Sequence, residues 1–189
     1  MKIDEAKAII KQKLTNQRYE HTLRVVEEAV KLAQLYQVST EKAGLAAMLH
    51  DYAKNMPAKD LKRMIVNNPV LPKDLLDYHQ ELWHGPVGAT LIKQELGIND
   101  KEISSAIRHH TTGKANMSAL DLIIFVADYI EPGRNFPGLT EVQEMAYQNL
   151  IHAAWMASRN NIQFLMSKKA RIYPDTFHAY NDLTKKLDH

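Results

Sequence analysis

Apolar residues recur along this chain at spacings of three and four, and no convincing run alternates in the strand manner. Ile3, Ala6, Ile10 and Leu14 share one face of a predicted first helix over 2–14. A second, over about 17–37, carries two apolar stripes, Leu23/Val26/Val30/Ala33 and Val25/Leu32/Leu35/Tyr36, so burial on more than one side is expected. Ser39 or Thr40 caps a third helix that runs through Ala43, Ala46, Ala47 and His50 to about Lys54. Short helices are predicted over 59–66 and 73–79, on either side of a loop at 69–72. Pro86 suits the first turn of a helix that stops at Gly97.

Asn99 with Glu102, and Ser118 with Asp121, are capping-box patterns that open helices over 100–110 and 119–131. Pro132-Gly133 ends the second of these. Thr140 with Gln143 starts the longest predicted helix, 141–167, and the tail beyond Arg171 holds Pro174 and one further short helix. The stripe Met145, Leu150, Trp155, Met156 and Met166 reads as core rather than interface. No repeat, low-complexity tract or linker divides the chain, so the pattern predicts a single all-α domain over 1–189.

Charge narrows the function classes. With 24 basic and 22 acidic residues scattered along the chain, no basic stripe marks a nucleic-acid partner. Charges interrupt every apolar stretch, including the N-terminal one, so neither a signal peptide nor a membrane span is expected, and the expected location is the cytoplasm. The chain has no cysteine, which excludes thiolate metal sites, iron–sulfur clusters and cysteine nucleophiles. Any metal must bind nitrogen and oxygen.

Histidine and aspartate supply both. His50 and Asp51 are adjacent, and neighbours on a helix point about 100° apart, so both can reach one small volume. Lys54 lies between those two directions. His21 lines up with Val25, Glu28 and Leu32 in an apolar stripe, and Asp128 closes the very hydrophobic run from Asp121. A carboxylate in such surroundings is costly to ionise without a compensating cation. His110 continues the face of Ile103, Ala106 and Ile107, whereas His109 points away from it. His84 sits just before Gly85-Pro86, where backbone and side chain can crowd a site. One buried His or Asp is more often a satisfied core residue than a ligand; six on separate segments shift that balance. His79, His109, His152, His178 and His189 are read as surface or locally bonded.

The order His…His-Asp…His…His…Asp on a helical scaffold resembles the HD-domain metal-dependent phosphohydrolases. RYEHT at 18–22, LHDYAK at 49–54, ELWHGPVGA at 81–89, AIRHHTTG at 106–113 and VADYIEPGRNFPG at 126–138 resemble the bacterial YqeK-type group, symmetrical diadenosine tetraphosphate hydrolases. The resemblance implies that His21, His50, Asp51 and Asp128 hold one metal, and that Asp51 bridges to a second held by His84 and His110. It implies two iron ions, although this ligand set also accepts manganese, cobalt or nickel. Hydrolysis would give two ADP through a metal-activated water, with Asp51 and Lys54 in catalytic roles and Lys54 and Arg134 binding the dinucleoside polyphosphate. Arg24 and Arg108 also lie near ligands but are weighed as ordinary helix-surface arginines. Another HD phosphohydrolase (nucleotidase or phosphodiesterase), or a non-catalytic nucleotide-binding module, is the alternative. A homodimer stays open.

Overall fold

A computed structural model describes residues 1–188; His189 lies outside the described residues. All regular structure among them is helical. The α-helices are α1 (Ile3–Lys13), α2 (Asn16–Leu35), α3 (Thr40–Leu49), α4 (Ala58–Asn67), α5 (His84–Leu96), α6 (Lys101–His109), α7 (Ala119–Ile130), α8 (Leu139–Ala146), α9 (Leu150–Ser167) and α10 (Pro174–Leu187). Two 3₁₀ segments, Lys73–Asp77 and Gln80–Leu82, bridge α4 and α5.

The core is organised around α7. Apart from Ala119 and Asp128 every residue of α7 is buried, as a helix that is apolar all round requires. It packs against α2, α3, α6, α8 and α9. Ala43, Ala46 and Ala47 of α3 are fully buried, and their small side chains let α2 and α6 approach α3 closely. Ser118 and Asp121 form the expected reciprocal cap of α7.

Several expected boundaries move, each for a local reason. The third helix stops at Leu49 rather than Lys54, and the chain continues in tighter turns bonded Tyr52 to Leu49, Lys54 to Asp51 and Met56 to Ala53. Asp100, not Asn99, caps α6, because its carboxylate accepts the N–H groups of Glu102 and Ile103. The long helix over 141–167 is two helices. Asn149 is extended and its side chain accepts the N–H of His152, so it starts α9 where an uninterrupted helix was expected. The left-handed Gly138, φ 83°, precedes α8, so Thr140 lies inside that helix instead of capping it. Tail helix α10 is 14 residues long rather than short. Leu35 and Met166, both assigned to apolar stripes, are exposed at 49% and 64%.

Candidate metal centre

Five elements deliver the six candidate ligands. His21 lies in α2; His50 is the C-cap of α3, with Asp51 in the turn after it. His84 opens α5, His110 follows α6 in helical conformation, and Asp128 sits in the last turn of α7. His21, His50, Asp51, His84 and His110 are buried, and Asp128 is nearly so. Three helix C-termini therefore meet here, and their carbonyl ends favour positive charge.

Asp51 is at the middle. Its Oδ1 lies 3.1 Å from His84 Nε2 and 3.8 Å from His110 Nε2. Its Oδ2 lies 3.2 Å from His50 Nε2 and 3.8 Å from His21 Nε2. His21 Nε2 is also 3.1 Å from Asp128 Oδ1. These atoms form three overlapping triads, His21/His50/Asp51, Asp51/His84/His110 and His50/His110/Asp128, each with its ligand atoms within 4.8 Å of one another.

The other ring nitrogens show which way the lone pairs face. His50 Nδ1 donates to Ala47 O at 2.6 Å and His110 Nδ1 to Ile107 O at 2.8 Å. A carbonyl only accepts, so each Nδ1 carries the hydrogen, and in the neutral ring each Nε2 then turns its lone pair inward. His21 Nδ1 does the same toward Glu131 Oε1 at 3.1 Å. Glu131 is tethered in turn by Arg24 and the Gly133 N–H. His21 Nε2, His50 Nε2 and Asp51 Oδ2 are buried without an aligned hydrogen-bond partner, although ion-pair distances are short. Even Arg18 Nη1, 3.1 Å from Asp51 Oδ2, is not aligned to donate. Inward lone pairs, buried carboxylates and partners fixing each outer nitrogen are what a divalent cation with nitrogen and oxygen ligands takes.

Electrostatics agree. Burial pushes the Asp51 carboxyl up, but the facing His50 and His84 outweigh it and hold Asp51 well below the usual carboxylate range. Burial likewise raises Asp128, and Arg134 with His21 overcomes it. Burial, reinforced by the His84 and His50 rings, pulls the His110 imidazole down to about 3 and keeps it neutral. His84 Nε2 and His110 Nε2 lie 3.0 Å apart, a contact that repels two bare lone pairs unless a proton or cation lies between them.

Gly85 makes that pairing possible. A Cβ there would stand 2.9 Å from the carbonyl oxygen of Arg108 and 3.2 Å from that of Ile107, so only glycine lets α5 reach the end of α6.

Asp51, His84, His110 and Asp128 of the cluster line a cavity of about 750 Å³, with His21 and His50 buried behind them. Lys54 and Arg134 both line it, yet neither is free: Lys54 pairs with Glu81, and Arg134 Nη2 donates to Asp128 Oδ1 at 2.6 Å. Arg24 serves Glu131 instead of the cavity. His109 donates locally to Ser105 O, and His79 and His178 are exposed. Residues missed in the sequence also line the cavity. Arg18 stands three positions before His21 on the same helical face, a spacing that could have exposed it. Glu131, also missed, lies outside the cavity, in the extended residue that ends α7, and holds His21 from behind. Asn160, Asn161 and Phe164, from the far end of the chain, gave no local signal.

Fold and site define a helical protein with a buried histidine–aspartate cluster that fits a divalent metal. A family model, the HD domain, matches residues 18–133, and the chain belongs to the HD domain family. It is 45% identical over 181 residues to a Bacillus subtilis protein named symmetrical bis(5'-nucleosyl)-tetraphosphatase, covering 96% of this chain and 97% of that one. A Staphylococcus aureus protein of the same name is 43% identical over 185 residues, covering 96% and 94%. The crystal structure of a predicted HD superfamily hydrolase involved in NAD metabolism, from Clostridium acetobutylicum, superposes with a TM-score of 0.92 at 37% identity and covers 97% of each chain.

Proposed function

We propose that this chain is a metal-dependent hydrolase that cuts diadenosine tetraphosphate symmetrically into two ADP. The observation that carries the reading is the cavity that Asp51, His84, His110 and Asp128 of the buried cluster line together with Arg18, Lys54 and Arg134, a space of nucleotide size. The names of the relatives supply the substrate.

In this reading His21, His50, Asp51 and Asp128 hold one metal, and Asp51 bridges to a second held by His84 and His110; iron is the proposed metal. Such cations would polarise a phosphoryl group and lower the pKa of a water molecule. The residues do the rest. Arg134 Nε is buried without a protein partner, leaving an N–H for a phosphate oxygen while its Nη2 stays on Asp128. Lys54 and Arg18 add positive charge at the cavity wall, where it would offset charge gathering on the leaving ADP. Phe125, Tyr129, Phe136 and Phe164 give aromatic wall for a nucleoside. Water oxygen bonds to one central phosphorus as the bridging oxygen leaves with the other half, so one water is consumed and two ADP are released.

The whole chain is proposed to act as one domain, because Asn160, Asn161 and Phe164 of α9 line the same cavity although they lie beyond the matched residues 18–133. No described helix is long and apolar enough to cross a membrane; a cytoplasmic setting is proposed from the substrate class. Purified protein given diadenosine tetraphosphate should release ADP as the sole nucleotide product. AMP with ATP would overturn the symmetrical cut, and inorganic phosphate from mononucleotides would favour a nucleotidase. His50→Ala and Asp51→Ala should each reduce turnover to background; activity surviving in both would sink the metal-centred reading.

A further inference from the structure

A second cavity, about 430 Å³, adjoins the first and shares Glu81, Leu82, Thr111, Asn161 and Phe164 with it as common wall. We propose that this annex seats the second nucleoside of the dinucleoside substrate. The inference rests on the reading given under Proposed function.

The geometry follows from where the cut falls. A symmetrical cut places the scissile bond at the substrate's centre, over the metal cluster, so the two nucleosides must depart from it in different directions. The larger cavity holds the cluster and aromatic wall for one of them. The annex offers the other a continuous path. At the boundary, Phe164 is 60% exposed, an unusual position for a phenylalanine. Lys168 Nζ stands 5.8 Å from the centre of that ring, so a flat apolar face and a cation are presented together, a combination suited to a stacked base. Thr111 Oγ1, also in the shared wall and one residue beyond His110, is buried with no hydrogen-bond partner, which leaves it for a sugar or phosphate oxygen. Arg171, which lines the annex and not the larger cavity, is tethered by donating to Asp77 O at 2.8 Å.

Ala170 lines only the annex and is exposed, so Ala170→Trp fills the space without burdening the core. Leu165→Trp narrows the same space from α9. Calorimetric titration of the purified holoenzyme with ADP should read two nucleotides per chain, falling to one in Ala170→Trp. The ratio of kcat/KM for diadenosine tetraphosphate to that for adenosine 5'-tetraphosphate should fall about tenfold in either variant, the scale of one lost base contact. A single ADP in the unaltered protein, or two retained in both variants, overturns the annex. Two ADP bound by an unaltered protein that releases none from diadenosine tetraphosphate overturns the proposed function and leaves the annex standing.

Discussion

An imidazole can turn either nitrogen toward a metal, and whatever holds the other nitrogen makes the choice. Three of the four histidines here have that choice made by a neighbour: Ala47 O for His50, Ile107 O for His110 and the Glu131 carboxylate for His21. Glu131 is the one of these that mutation can remove. Burial raises its carboxyl, while Arg24, His21 and the Gly133 N–H outweigh that and keep it ionised. Glu131→Gln should therefore weaken metal binding by about 10–100-fold, read by competition with a chelator; unchanged affinity would remove Glu131 from the centre. At this scale the candidate ligands His21, His110 and Asp128 were legible because each interrupts an apolar face, His50 and Asp51 as an adjacent pair, and His84 from its place before Gly85-Pro86. Glu131 was not, because beside Pro132-Gly133 it reads as part of a helix stop. Lys54 was legible as a cation near Asp51, but its partner Glu81 lies 27 residues away and no local pattern joins them.

Between elements, the contact of α5 with α6 sets the distance between His84 and His110. Gly85→Ala would drive a methyl group into the Arg108 carbonyl, which is backbone and yields little. A loss of roughly 1–3 kcal/mol in unfolding free energy is expected, together with lower metal stoichiometry by elemental analysis. A variant that keeps full stability and full metal would show that the helices can separate at no cost. Asn149→Ala should cost about 1 kcal/mol in denaturant unfolding with little effect on metal content, because it removes only the cap of α9. That cap is also why the longest predicted helix was wrong. Apolar spacing continues through 147–149, and only the competition between the Asn149 side chain and the helix backbone breaks it. The same over-extension occurred after α3, where helical spacing through Lys54 does not distinguish an α-helix from the tighter turns that carry Asp51.

For the whole molecule, burial raises the tyrosine hydroxyls of Tyr36, Tyr52, Tyr129 and Tyr147 above their ordinary value, and takes Tyr173 up to about 12. The unfolded chain loses these protons first, so stability is full below about pH 10 and declines as pH rises through the raised values. Thermal unfolding should show Tm falling steadily above pH 10, with part of the tyrosine absorbance titrating late; a Tm flat to pH 12 would contradict it. Stripping divalent metal with a chelator should lower Tm further at neutral pH, by mass action on the folded state alone. The fold class was readable throughout, since helical spacing repeats over the entire chain. The cavity was not, because Arg18 and Phe164, far apart in the chain, come to line one space only after folding. Ala47 and Ile107 hold their rings through main-chain oxygens, which any amino acid supplies. Sequence drift at those two positions can alter packing without re-aiming either ring. Inherited or selected changes that detune the centre from outside its ligands should therefore collect at Glu131 and its tether Arg24, where orientation depends on side-chain identity.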